Sequence, residues 1–196
     1  MDVDFQQGFN HLCLKFVRQV LRKKGVCEEV LERIKCLYER GTTRVLVNNI
    51  LGSPIKNIMQ SLWQGDLLSM IWFILAMEPL LKSLKRLLKG IVVRTVQVEG
   101  PLQEGETGPL ILEEIFTVVG YVDDVKPAVN NMEEVKIIVD QCTKLEKASG
   151  VKLHRSPLSG KCKLLPMGKW NNKLKQEMIP YDFIKLTESL DVMEVK

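Results

Sequence analysis

The chain contains 196 residues, of which 45% are hydrophobic and 27% charged, and its formal net charge is +4 at pH 7. A chain of this length can bury one sizeable core, and its modest positive charge permits a nucleic-acid partner without requiring one. Met1 leads directly into an acidic segment rather than a basic and then apolar leader, so no secretory signal is expected. The longest apolar stretch, residues 67–77, is too short to span a bilayer, and no membrane partner is expected.

Five cysteines are dispersed along the chain, and none of them forms a C-x-x-C pair. An odd number at irregular spacing predicts neither a disulfide framework nor a zinc site, and it fits a reducing compartment. We therefore expect an intracellular protein, in the cytoplasm or the nucleus. The cysteines are Cys13, Cys27, Cys36, Cys142 and Cys162.

The first quarter of the chain predicts a short strand followed by two amphipathic helices. Residues 2–5 have the pattern of a strand. Apolar residues then recur at helical spacing over residues 11–25 and again over residues 28–40, where Gly41 is expected to end the helix.

A hairpin and a long helix are predicted next. Residues 43–47 are expected to turn at the asparagine pair 48–49 and to pair with residues 53–58. A long apolar helix follows over residues 66–88, with a kink expected at Pro79.

The second half of the chain predicts a loop, two strands and another amphipathic helix. Residues 97–109 are rich in glycine, proline and glutamate, which favours a loop. An apolar strand then ends in GYVDDV, residues 120–125, and a return strand follows. The apolar spacing over residues 132–149 predicts a helix that is closed by Gly150.

The last part of the chain is less regular. Residues 151–155 and 162–165 are expected to form a small hairpin, and the lysine-rich segment after Trp170 has little pattern. Strands and helices interleave without the regular alternation of a doubly wound sheet. The sequence therefore predicts the α+β class, with helices packed on one face of a mainly antiparallel sheet.

The stretch GYVDDV places Asp123 and Asp124 side by side behind an apolar run. Adjacent carboxylates repel, so the pair is either a polar turn after a buried strand or a metal site in which a divalent cation offsets the repulsion. Asp4, in DFQQGFNH, ends the first predicted strand. If that strand lies beside the one with Asp123, both side chains meet at one edge of the sheet and can share metals. Asp2 faces the same side as Asp4, so spacing leaves both open as the ligand.

Gln64 and Gly65, in SLWQGDLLSM, lie at the start of the long predicted helix. Gly65 would let a ligand approach the backbone closely, and a helix N-terminus favours phosphate. The alternative is an ordinary helix start with Asp66 near the N-cap.

Four stretches together resemble the successive palm motifs of reverse transcriptases, and the closest resemblance is to those encoded by non-LTR retrotransposons. The stretches are DFQQGFNHL, SLWQGDLLSMIWFILAMEPLL, GYVDDV and ASGVKLH. The resemblance implies a polymerase palm with a split β-α-β, ferredoxin-like sheet over residues 1–170, truncated at its N-terminus. Residues 171–196 would form a tail, with the thumb absent. It also implies an RNA-directed DNA polymerase whose partners are an RNA template, a DNA primer and deoxynucleoside triphosphates.

The resemblance further implies a role for each matching acidic residue. Asp4 and Asp123 match the pair that holds two Mg²⁺ ions, for which Mn²⁺ can substitute. Asp124 matches the family's second acidic residue beside the primer end, and Tyr121 matches its aromatic residue next to the primer terminus.

The remaining matches concern the incoming nucleotide. Phe9 matches the family's steric gate, an aromatic ring in the space that a ribonucleotide 2′-hydroxyl would need. From periodicity alone, Phe9 is more often a core residue. Gln64 and Gly65 match residues that contact the incoming nucleotide and the template.

The sequence also departs from the family pattern. Asn10 stands where the family more often has aspartate, and Trp63 where it more often has arginine. Lys126 and Pro127 interrupt the apolar residues expected after the acidic pair, and proline suits only an edge or a bulge of a sheet.

Two alternatives therefore remain beside an active reverse transcriptase. One is a catalytically inactive retrotransposon remnant that at most binds nucleic acid through its basic residues. The other is a different two-metal phosphoryl-transfer enzyme on the same sheet topology. His11 and His154 are expected to be surface residues or hydrogen-bonded structural residues. Lys152 and Lys161 are expected to be solvated unless one of them serves as a general acid near the pyrophosphate.

Overall fold

The computed structural model describes residues 1–39, 41–55, 62, 66–97, 110–171 and 173–188. Within these residues, helices combine with short and mainly antiparallel strand pairs, which confirms the α+β class. The α-helices are α1 (Gly8–His11), α2 (Leu14–Lys23), α3 (Glu28–Glu39), α4 (Leu67–Leu87) and α5 (Met132–Ser149). The strands are β1 (Phe5–Gln6), β2 (Leu46–Val47), β3 (Ile50–Leu51), β4 (Ile91–Gln97), β5 (Leu110–Phe116), β6 (Val118–Tyr121), β7 (Asp124–Pro127), β8 (Lys152–Leu153), β9 (Cys162–Leu164) and β10 (Ile184–Leu186). Short 3-10 helices cover Gly168–Trp170 and Gln176–Met178.

The N-terminal segment lies between strands on both of its sides. Val3 forms an antiparallel bridge with Val125 of β7, and its backbone N donates to Val125 O over 2.9 Å. On the opposite side β1 pairs antiparallel with β8, and Asp2 forms an antiparallel bridge with Lys163 of β9. β9 in turn pairs in parallel with β10. Neighbours on both sides therefore determine where the backbone of Asp4 lies.

The hairpin predicted from residues 151–155 and 162–165 is wrong. β8 and β9 do not pair with each other. Both pair with the N-terminal segment, β8 with β1 and β9 with Asp2, along the same edge of that segment. Asp4 O accepts a hydrogen bond from His154 N over 3.0 Å, and Asp2 N donates to Lys163 O over 2.7 Å. The N-terminal backbone thus takes the hydrogen bonds that a local hairpin would have used, since each backbone group needs a partner.

The apolar run before GYVDDV forms two strands rather than one. β5 pairs antiparallel with β4, whereas β6 pairs antiparallel with β7, and Thr117 separates the two. Sequence spacing does not predict β4. Residues 98–109 of the predicted loop lie outside the described residues. The return strand after GYVDDV is confirmed as β7.

The predicted hairpin around residues 48–49 is confirmed, with a shifted partner strand. β2 pairs with β3, and Asn48 and Asn49 have positive φ angles of 49° and 63°, as tight hairpin turns require. The partner strand begins at Ile50 rather than at residue 53. Residues 56–58 lie outside the described residues.

The longer helices agree closely with the predictions. α5 has the predicted bounds, and Gly150 follows it at a φ of 81° in the left-handed region. α4 continues through Pro79 and differs from its predicted bounds by one residue at each end. α2 begins three residues later than predicted, because residues 8–11 form the separate helix α1. None of the helices in the described part of the chain is long and apolar enough to cross a membrane.

The core is built from the short strand pairs and from helices α2, α4 and α5, which pack on one another. Val3 and Val125 enter it from the sheet, Phe73 and Met77 from α4, and Ile138 from α5, each at most 1% exposed. The segment after Trp170 also packs on this core. Its buried residues are Leu174, Ile179, Phe183 and Ile184.

Candidate active site

Asp4 lies between Val3, which is bridged to β7, and β1, which pairs with β8. The preceding residue, Val3, is fully buried, whereas Asp4 itself is partly buried. The carbonyl of Asp4 accepts from His154 N, and the thiol of Cys162 lies 3.9 Å from the same oxygen. The backbone of Asp4 is therefore held by long-range contacts, which limits the positions that its carboxylate can take.

Asp123 lies in the two-residue turn of the β6–β7 hairpin. Tyr121 and Asp124 are the last residue pair before the turn, and the side chains of Tyr121 and Asp123 are exposed. Val122, the first turn residue, has a positive φ of 55°. For a β-branched residue this conformation is a genuine outlier, and such strained positions cluster at functional sites. The backbone of this turn is therefore strained at Val122, which a simple polar turn would not require.

The charges of Asp4 and Asp123 interact. Burial raises the pKa of the Asp4 carboxyl above its ordinary value, and the Asp123 and Asp2 charges act in the same direction. The positive charges of Lys161 and His154 oppose the increase. The charge of Asp123 therefore acts on Asp4, although the two residues are far apart in sequence.

Asp2 and Asp124 instead share an ion-pairing partner, Lys126 of β7. The ammonium nitrogen of Lys126 lies 3.5 Å from Asp2 Oδ1 and 3.5 Å from Asp124 Oδ2. Asp2 is a buried residue, with 7% of its surface exposed. Spacing left both Asp2 and Asp4 open as the ligand, and in the structure Asp2 is buried against a lysine whereas Asp4 is partly buried. Sequence reasoning noted Lys126 only as a departure from a family pattern.

Carboxylates such as those of Asp4 and Asp123 are oxygen donors of the kind that Mg²⁺ prefers. Among the described residues, no three histidine, cysteine, aspartate or glutamate side chains converge in a way that could hold a metal ion. Mg²⁺ is commonly bound by only one or two carboxylates, with waters and substrate phosphates as its other ligands. Asp4 and Asp123 supply two hard oxygen donors, and a cation near them would offset the cost of burying a charged Asp4.

Phe9, the predicted steric gate, packs on the core. Its ring stacks on Phe73 of α4, with centroids 4.5 Å apart and an interplanar angle of 15°. Its carbonyl accepts a hydrogen bond from Leu62 N over 2.8 Å. A Cβ atom on the neighbouring Gly8 would lie 2.8 Å from the Phe73 ring, so this junction has no space for a larger residue. Phe9 is only partly buried, which leaves part of its ring accessible.

Gln64 and Gly65 lie outside the described residues, but the adjacent helix start is defined. Asp66 is the N-cap of α4, and its side chain accepts from Leu68 N over 3.3 Å. The hydroxyl of Tyr38 donates to Asp66 Oδ2 over 3.0 Å and ties α3 to this cap. The N-cap interpretation of Asp66 is therefore confirmed.

The loop between β8 and β9 supplies the positive charges near Asp4. Lys161 is exposed, and its charge is the largest of those that lower the pKa of Asp4. His154 Nδ1 is 3.0 Å from Ser159 Oγ, so the expectation of a hydrogen-bonded structural histidine is confirmed. The prediction of a local hairpin over this segment did not indicate that the charges of Lys161 and His154 act on Asp4.

A mainly apolar cavity of about 420 Å³ lies beside the connection from β7 to α5. Phe116, Pro127, Met132 and Trp170 contribute to its walls. None of the predicted site residues that the structure describes lines this cavity, although Lys126, the partner of Asp2 and Asp124, does.

Comparisons with known proteins do not assign the chain to a family. No model of a known protein family matches it, and no curated protein matches it significantly. Function is therefore inferred from the motifs and from the geometry of the carboxylates.

Proposed function

We propose that the chain is the palm of an RNA-directed DNA polymerase of the non-LTR retrotransposon type. It adds deoxynucleotides to a DNA primer on an RNA template by two-metal phosphoryl transfer. The ordered stretches DFQQGFNHL, SLWQGDLLSMIWFILAMEPLL, GYVDDV and ASGVKLH support this assignment.

The observation that carries the proposal is the relation between Asp4 and Asp123. One follows a buried strand segment in the middle of the sheet, and the other lies in the turn of the adjacent hairpin. The charge of Asp123 acts in the direction that raises the pKa of Asp4. Two carboxylates supplied by neighbouring segments of the fold are suited to binding a hard divalent cation.

Asp4 and Asp123 would hold the Mg²⁺ ions, and Mn²⁺ would substitute for them. Such ions, when bound, lower the pKa of a primer 3′-hydroxyl and neutralise charge on the phosphates. The hydrogen bond from His154 N to the Asp4 carbonyl holds one ligand in place, while the exposed turn leaves Asp123 open to an incoming substrate.

The other matched residues take substrate-binding roles in this proposal. Phe9 excludes the 2′-hydroxyl of a ribonucleotide, and its stacking on Phe73 keeps the ring at a constant position. Tyr121 is 66% exposed next to the acidic turn, which makes it available to a primer terminus. Asp124 lies beside the primer end, and Gln64 and Gly65 contact the incoming nucleotide and template.

Primer extension on an RNA template with Mg²⁺ and deoxynucleotides tests the proposal. Asp4→Asn and Asp123→Asn should each lower incorporation by about a hundredfold or more, because each removes a metal ligand. Asp140→Asn is the matched control, since Asp140 lies on the exposed face of α5, paired with Lys144. Undiminished incorporation in Asp123→Asn would refute the site. Equal use of ribonucleotides would favour another phosphoryl-transfer enzyme.

A second candidate function is non-catalytic binding of nucleic acid by a retrotransposon remnant. The observation that favours it is Lys126, whose ammonium group already pairs with the carboxylates of Asp2 and Asp124. This pairing reduces the negative charge available to a metal ion. Salt-sensitive binding of an RNA–DNA duplex, without incorporation by the wild type or by Asp123→Asn, would support this candidate.

A further inference from the structure

We infer that Lys126 is a positioning residue that holds the Asp124 carboxylate in an ion pair. Because Asp124 is held in this way, Asp4 and Asp123 bind divalent cations without it. This inference rests on the proposed function. It concerns a residue at which the sequence departs from the reverse-transcriptase pattern.

The strand register places Lys126 among the carboxylates. Met1 N donates to Pro127 O over 3.0 Å and Val3 N donates to Val125 O over 2.9 Å, which puts Asp2 opposite Lys126 across the two strands. Lys126 and Asp124 are two residues apart on β7, so their side chains lie on the same face. Val125, between them, points into the core and is 1% exposed.

Burial distinguishes the two partners of Lys126. The side chains of Lys126 and Asp2 are 18% and 10% exposed, whereas that of Asp124 is 47% exposed. A largely buried carboxylate needs a compensating charge, so the Asp2–Lys126 contact anchors the ammonium group. Asp124 is more accessible, and it is therefore the partner that can leave the ion pair and approach a cation.

Loss of the lysine charge should strengthen cation binding in two ways. It removes an ammonium group that repels the cation, and it frees Asp124 to become an additional ligand. A nearby unit charge at a protein surface changes the affinity of a divalent ion by about three- to tenfold at moderate salt. Lys126→Arg keeps the charge and should retain the wild-type affinity.

Titration of the full chain with Mn²⁺, followed by electron paramagnetic resonance of the free ion, measures this effect without any need for polymerase activity. Lys126→Gln should bind Mn²⁺ about three- to tenfold more tightly than wild type. The gain should be smaller in an Asp124→Asn background, because the freed carboxylate is then missing. An equal gain in that background would overturn the positioning role, since Lys126 would then act only through its charge.

Lys126→Gln leaves Asp2 buried without its cation and can impair folding. The double variant Asp2→Asn/Lys126→Gln removes both charges of that pair and still frees Asp124, so it should also bind Mn²⁺ more tightly. Failure of both variants to gain affinity would overturn the inference.

The wild-type titration distinguishes failure of the inference from failure of the proposed function. Mn²⁺ binding that is lost in Asp4→Asn and Asp123→Asn supports the proposed metal site, whatever Lys126→Gln does. Wild-type binding that survives in both aspartate variants would refute that site. Absence of binding in all variants would count against both the site and the role of Lys126.

Discussion

Phe9 and Phe73 stack face to face across the junction between α1 and α4, with ring centroids 4.5 Å apart. Phe73 is fully buried, whereas Phe9 is only partly buried. The proposed steric gate thus packs on a ring of the hydrophobic core. Its position depends on α4 as well as on its own short helix.

Truncation of the two rings should have unequal effects on stability. Phe73→Ala should lower the free energy of unfolding by about 3–5 kcal/mol, because it leaves a cavity in the core. Phe9→Ala should cost less, since part of its ring is exposed. Urea denaturation measures both, with Leu158→Ala, at a side chain 98% exposed, as a control that should change little. Equal costs at Phe9 and Phe73 would show that Phe9 is an ordinary core residue.

Asp4 should make stability depend on pH in a direction unusual for a carboxylate. Burial raises the pKa of Asp4 in the folded chain, so the folded state binds this proton more tightly than the unfolded state. The free energy of unfolding should therefore fall as pH rises from the ordinary value of 3.8 through the raised folded pKa. Asp4→Asn lacks this titration, so it should gain stability relative to wild type across that window.

Urea denaturation of wild type and Asp4→Asn at a series of pH values, without divalent ions, tests this dependence. Asp140→Asn serves as the control on an exposed helix face. Addition of Mg²⁺ should restore wild-type stability at neutral pH, because an ion bound only to the folded state stabilises it. A wild type that gains stability over Asp4→Asn as pH rises would contradict the predicted sign.

The cysteines should differ sharply in reactivity. Burial raises the pKa of Cys142 to about 12 and that of Cys162 to about 11, so both remain protonated thiols at pH 8. Cys27 and Cys36 are exposed, and Cys13 is intermediate. Alkylation of the native chain followed by peptide mass mapping should label the exposed pair first and leave Cys142 and Cys162 unlabelled. Labelling in urea provides the control, and rapid native labelling of Cys142 would contradict the packing of α5.

Gly150 should tolerate alanine less well than another glycine in the same conformation. Gly150 and Gly25 have φ angles of 81° and 88°, so alanine at either position costs about 1–2 kcal/mol for the left-handed backbone. A Cβ atom at Gly150 would also lie 2.7 Å from His11 O, whereas one at Gly25 meets nothing within 4 Å. Gly150→Ala should therefore lower the melting temperature more than Gly25→Ala. Equal shifts would show that the contact with His11 relaxes without cost.

The features predicted correctly from the sequence depend on neighbours within a few residues. The bounds of α5 follow from apolar spacing and from a glycine that suits the left-handed position after a helix. The turn at Asn48 and Asn49 and the N-cap at Asp66 have equally local causes. Such signals need no knowledge of the rest of the fold.

The features missed are pairings between distant segments. β8 and β9 bond to the N-terminal segment instead of to each other, and β4 finds its partner across a long connection. The proximity of Lys161 to Asp4 and of Lys126 to Asp2 follows from these pairings. Spacing along one strand does not contain this information, because a register is set by two strands together.

The sequence by itself determined the chemistry that is available: two adjacent aspartates behind an apolar run, and a further aspartate pair near the N-terminus. Only the tertiary structure decided which member of that N-terminal pair is buried in an ion pair with a lysine. The physical reason is the antiparallel register of the N-terminal segment against β7, which sets Asp2 against the ammonium group of Lys126.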